Sequence, residues 1–261
     1  MSIVPFISAI PFLLIGLHLL RVARASGAVP DRLLSAFFLL CSAAIVPRMV
    51  ALDLVTSGTG MTWTAFWLST VGNLIIGTSI LCLCAFTWKV FRPDAGWAKK
   101  LVIAFVVAYV FTFAARASSL ENAQASSPVA ILYNVLGAAS LAWAFVECVI
   151  YYLSMRRRLA LGLADPVVAN RFLLWSLWTG AIAIQALVMV ALRAAVGWSG
   201  AGEILNAGGD PGGPWLDLIR AGKALFGVVA PVVVVSVVLS FSPPAAYLRW
   251  LRKEPTGAAA G

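Results

Sequence analysis

His18 and Glu147 are the side chains best suited to moving a proton, and both stand inside long apolar runs. An ionisable group at membrane depth is costly, so it faces a bundle interior, a cavity or a partner charge. Both fall toward the same end of their segments, which leaves two readings: a His18–Glu147 hydrogen bond acting as an inner gate or proton site, or two groups reaching the headgroup zone independently. Arg48 follows Pro47, whose missing donor kinks a helix, and it turns either inward or toward Asp53. Asn73, Asn134 and Gln185 are amides in otherwise apolar runs, placed either to tie helices together or to touch a ligand. Together with Lys223, the residues Arg48, Asn73, Asn134 and Gln185 are the candidate ligand contacts.

The elements that must position them are set by composition. With 62% hydrophobic and 11% charged residues and a mean hydropathy of +0.96, the chain has too little charge to cover a water-soluble globule. A bilayer core of about 30 Å needs roughly 20 apolar residues per helix, because backbone polar groups must pair within the segment. Seven such stretches are present, near 4–22, 33–53, 63–88, 101–116, 128–155, 171–194 and 215–241. The fold class read from sequence is therefore an all-α polytopic membrane protein with seven transmembrane helices.

Most of the 19 basic residues lie in alternate gaps. Arg21, Arg24 and Arg32 fall in the first; Lys89, Arg92, Lys99 and Lys100 in the third; Arg156, Arg157, Arg158 and Arg171 in the fifth; Arg249, Arg252 and Lys253 after the last. The positive-inside rule then puts the N-terminus outside and the C-terminus in the cytoplasm, in a cell or inner membrane. These cations flank spans instead of interleaving with exposed aromatics, so the net charge of +9 predicts no nucleic-acid partner. No cationic leader precedes the first run, which reads as a retained helix. Cys41, Cys82, Cys84 and Cys148 all fall within spans and read as small apolar side chains.

Three pairs of segments match in order. Met49-Val50-Ala51-Leu52 matches Met189-Val190-Ala191-Leu192, and Leu20-Arg21-Val22-Ala23-Arg24 matches Leu153-Ser154-Met155-Arg156-Arg157. The exits of the third and seventh spans, beginning Phe91-Arg92-Pro93 and Phe241-Ser242-Pro243, share Phe-x-Pro-x-Ala-x-aromatic-x-cation. They predict a 3+1+3 parallel internal repeat within a single transmembrane domain, 1–261: a first unit at 1–100, a linking fourth helix and outer loop at 101–127, a second unit at 128–253, and a disordered tail at 254–261. After each proline, Trp97 or Tyr247 with nearby cations suits the headgroup level and a short amphipathic continuation. The glycine-rich loop 197–214 is either a lid over a site or a plain connector.

An outer basin edged by Arg48, Arg116, Arg193, Arg220 and Lys223, opposed by Asp53, Glu121, Glu203, Asp210 and Asp217, would attract an anionic group. Locally, Lys223-Ala224-Leu225-Phe226-Gly227 is similar to the lysine region of microbial rhodopsins, and that resemblance implies a retinal Schiff base. The chain departs from it in two respects. Lys223 stands too far from the inner end of its span, and the third span, Trp63 to Trp88, offers no Asp or Glu as counter-ion.

A single histidine is too few for a multi-imidazole metal site, and nucleophile elbow, phosphate loop and paired intramembrane acids are all missing. The sequence therefore predicts a non-enzymatic protein without a cofactor. Its first functional expectation is a carrier taking a small solute, such as an anion, between the helix triplets. The alternatives are a receptor or sensor signalling to a protein partner through its basic inner loops, and an accessory subunit of a membrane complex.

Overall fold

The computed structural model describes residues 4–55, 62–124, 127–198 and 213–253. The tail 254–261 and most of the glycine-rich loop, 199–212, lie outside the described residues, as does the side chain of Lys223.

Every described element is a helix. They are α1 (Val4–Ser26), α2 (Val29–Leu54), α3 (Trp63–Phe91), α4 (Gly96–Ala117), the single turn α5 (Leu120–Ala123), α6 (Pro128–Ala160), α7 (Pro166–Trp198), α8 (Gly213–Phe241) and α9 (Ala245–Lys253). Helix starts are written in the sequence. Thr62, Ser119 and Ser127 each accept a hydrogen bond from a backbone N–H three residues on, at 3.1–3.2 Å, and Pro128 follows Ser127 where its missing donor does no harm. Stops are equally local: Gly27 and Gly162 close α1 and α6 with φ of +69°, a conformation that suits glycine.

Among the described residues, six helices are long and apolar enough to cross a bilayer: α1 to α4, α6 (together with α5) and α7. Helix α8 runs on to Phe241, and its described apolar part, Gly227–Phe241, meets α9 at an angle of 81° across the Ser242-Pro243-Pro244 break. The helices overrun the spans expected from hydropathy. Helices α6 and α7 have 33 residues each, roughly 50 Å, so they project beyond the lipid. Arg156, Arg157 and Arg158 thus belong to the exposed last turns of α6, where Gly162 and not the end of the apolar run stops the helix.

Packing forms a closed ring in which α1 meets α2, α2 meets α3, α3 meets α6, α6 meets α7, α7 meets α8 and α8 returns to α1; α4 leans on both α3 and α6. Serines, not the expected amides, stitch the early helices. Ser35 Oγ donates to the Gly16 carbonyl at 2.9 Å, Ser42 to Ala9 at 3.2 Å and Ser79 to Phe37 at 2.9 Å. A hydroxyl on a short stem allows close backbone approach, which matters in lipid because association there depends on packing.

Candidate functional site

The end of the bundle opposite most of the cations is built from α2, α3, α4, α6 and α7. Asn73 and Tyr133 are buried, and the Tyr133 hydroxyl donates to the Asn73 carbonyl, joining α6 to α3. This junction needs the bare backbone of Gly77, since a Cβ there would stand 2.6 Å from the Tyr133 hydroxyl. One residue before Asn73, Gly72 leaves room for the aliphatic stem of Arg48 to lie across α3. Arg116 at the end of α4 is buried, donates from Nη2 to the Ala123 carbonyl at 2.9 Å, and holds its guanidinium 5.9 Å from the centre of the Tyr133 ring.

Arg48 therefore lies against α3 at Gly72, one residue from Asn73 in sequence, but the amides do not converge. Asn73 Nδ2 donates within its own helix to Ser69 at 3.2 Å, and Asn134 Nδ2 to Ala130 at 2.5 Å, also within its helix. Gln185 is half-buried on α7. An amide at i reaches the carbonyl or hydroxyl at i−4 without help from a neighbour, so amides here serve their own helix first.

Between the two ends lies a continuous aromatic wall. Phe38 and Trp178, fully buried on α2 and α7, touch at 5.8 Å between ring centres; Phe12, Phe37 and Phe241 surround Phe38 at 5.1–5.6 Å. Trp175 continues the wall to Phe241 at 5.6 Å and Phe86 at 5.3 Å. Among the described residues the buried Trp178 Nε1–H meets no acceptor, an expensive arrangement in an apolar core.

At the basic end the structure gives Glu147 a partner the sequence did not suggest. Arg92 Nε donates to both Glu147 carboxylate oxygens, at 2.9 and 3.0 Å, and Trp143 Nε1 approaches the same carboxylate at 3.4 Å. Glu147 is 3% exposed and Arg92 37%. These hydrogen bonds, and then the carboxylate's charge, hold the Arg92 guanidinium above its ordinary pKa. His18 instead sits on an exposed face of α1, and no hydrogen bond joins it to Glu147. The expected pair fails because both lie toward one end of their helices but on different sides of the ring, a matter of rotation that apolar runs do not encode. Arg92 was legible as a cation at the proline that ends α3; that its side chain is directed at Glu147 of α6 was not.

Close by, a half-open groove of about 230 Å³ is lined by Val90 of α3, Val168, Arg171, Phe172 and Trp175 of α7, and Ser240 and Phe241 of α8. Its walls are aromatic and aliphatic, Arg171 is exposed, and Ser240 turns its hydroxyl back to the Ser236 carbonyl at 2.6 Å.

No family model matches the chain, and neither a curated protein nor a solved structure matches it. What the comparisons leave is the architecture itself: a helical protein whose apolar helices suit a lipid bilayer.

Proposed function

We propose that the chain is a non-enzymatic carrier that crosses the membrane seven times, N-terminus outside, and admits a small organic anion between two helix triplets. The groove carries this reading, because α3 from the first proposed triplet and α7 and α8 from the second share its walls. Solute sites in carriers built from repeats lie where the repeats meet. Arg171 supplies the positive charge, Phe172, Trp175 and Phe241 the apolar contact, and the aromatic wall around Phe38 and Trp178 the barrier to the other end.

Several details support the repeat. The register that lays Met49 on Met189 also lays Phe38 on Trp178, and equivalent residues touch when they lie on a two-fold axis. The register that lays Leu20 on Leu153 lays Phe12 on Phe145, and each packs on the second helix of its unit, Phe12 on Phe38 and Phe145 on Gly180. Contacts of α3 with α6 and of α8 with α1 are likewise equivalent joints. The Arg92–Glu147 pair bridges the α3–α6 joint at the basic end, where it acts as a closure between triplets.

The seventh crossing is α8, and α9 lies along the basic surface. Its support is the 81° turn, the exposed Trp250 stacked on Tyr247, the inward Leu251 and the 2.7 Å hydrogen bond from Asn170 to the Tyr247 hydroxyl.

The test is uptake of benzenesulfonate, a permanently charged aryl anion that does not leak across lipid, into liposomes containing only this protein. Saturable uptake that falls when Ser240→Phe fills the groove is expected. Uptake no faster than into protein-free liposomes, with no binding of the probe in detergent, would sink the reading.

A further inference from the structure

Three arginines from three helices gather at the end opposite the groove. Arg116 is the fixed member, buried, tied to the Ala123 carbonyl and seated over Tyr133. Arg48 reaches the same neighbourhood from α2, its stem crossing Gly72 next to the Asn73 carbonyl that Tyr133 holds. Arg193 comes from α7, near enough that the charges of Arg48 and Arg116 both act on it. Tyr133 likewise feels Arg48 and Arg116. The Arg92–Glu147 ion pair lies at the opposite end. Like charges held together at the edge of a low-dielectric medium repel, and an anion shared between them offsets that repulsion. Arg48 is exposed, so its side chain is not enclosed by the described residues.

We propose that Arg48, Arg116 and Arg193 form a binding site for one phosphate-type dianion. Guanidinium forks match tetrahedral oxyanions by paired N–H···O bonds, and three neighbouring cations favour a doubly charged ligand over chloride. The anion has two possible sources, inorganic phosphate in solution or a lipid phosphomonoester at the membrane surface. This site is separate from the groove and does not require transport.

The experiment measures thermal unfolding of the whole chain in a zwitterionic detergent at constant ionic strength, adding either inorganic phosphate or short-chain phosphatidic acid, with chloride as control. Phosphate or phosphatidic acid is expected to raise the midpoint by several degrees while chloride does not. A response to phosphate assigns the free anion, and a response to phosphatidic acid alone assigns the lipid. Arg48→Ala and Arg193→Ala should each abolish the shift; Arg48→Lys and Arg193→Lys should keep less than half of it, since a lysine retains the charge but not the fork. Equal shifts with all three anions, or an unchanged response in both alanine variants, would overturn the site. Retained phosphate binding without benzenesulfonate uptake would count against the carrier alone.

Discussion

The two ends of the bundle solve the problem of a buried charge in opposite ways. At the basic end the buried carboxylate of Glu147 is met by Arg92, so the charge is balanced from within the chain. At the other end the buried guanidinium of Arg116 is met by two more cations, Arg48 and Arg193. The first arrangement closes a joint between helices. The second gathers cations, which the proposed anion would stabilise, and the contrast separates a structural ion pair from the proposed place for a ligand.

The largest effect is expected from removing the wall that keeps the ends apart. Trp178→Ala deletes a fully buried ring on the Phe38 contact and should destabilise the protein by about 3 kcal/mol, read from unfolding in detergent. A loss below about 1 kcal/mol would mean that the wall does not hold α2 and α7 together. Next comes the internal pair. Arg92→Ala leaves Glu147 buried without its partner and should cost about 2 kcal/mol, moderated by the partial exposure of Arg92. The double variant Arg92→Ala/Glu147→Ala should recover part of that loss, and additive losses would show that the two residues do not act as a unit.

Smaller effects belong to the cationic end. Gly72→Leu places a side chain where the Arg48 stem runs, so it should displace Arg48, weaken any phosphate response and cost about 1 kcal/mol. A Gly72→Leu variant that keeps the full phosphate response would detach Arg48 from the site. Tyr133→Phe removes only the hydroxyl bound to the Asn73 carbonyl and should cost about 0.6 kcal/mol, the scale of interhelical hydrogen bonds in membranes. It also leaves the Tyr133 ring under Arg116, so a large loss of phosphate response would show that the hydroxyl, not the ring, positions the cation.

Helix ends were largely legible because they depend on neighbours in sequence. Thr62, Ser127 with Pro128, Gly162 and Pro93 each start or stop a helix through bonds to residues a few positions away. The candidate site was legible in part. Arg48 lies against α3 at Gly72 and Arg116 is buried at the end of α4, while Asn134 serves its own helix and His18 faces outward. Arg171 read as a flanking cation, and only the meeting of α3, α7 and α8 makes it part of a groove wall.

By itself the sequence determined that long apolar helices must find a lipid environment, and roughly where each begins and ends, because backbone satisfaction and capping are local requirements. The tertiary structure alone decided that Glu147 pairs with Arg92 and not His18, that Phe38 meets Trp178, and that Arg116 is tied to the Ala123 carbonyl over the Tyr133 ring. Those outcomes depend on how each helix is rotated about its axis, and in a chain apolar on nearly every face no periodicity records that angle.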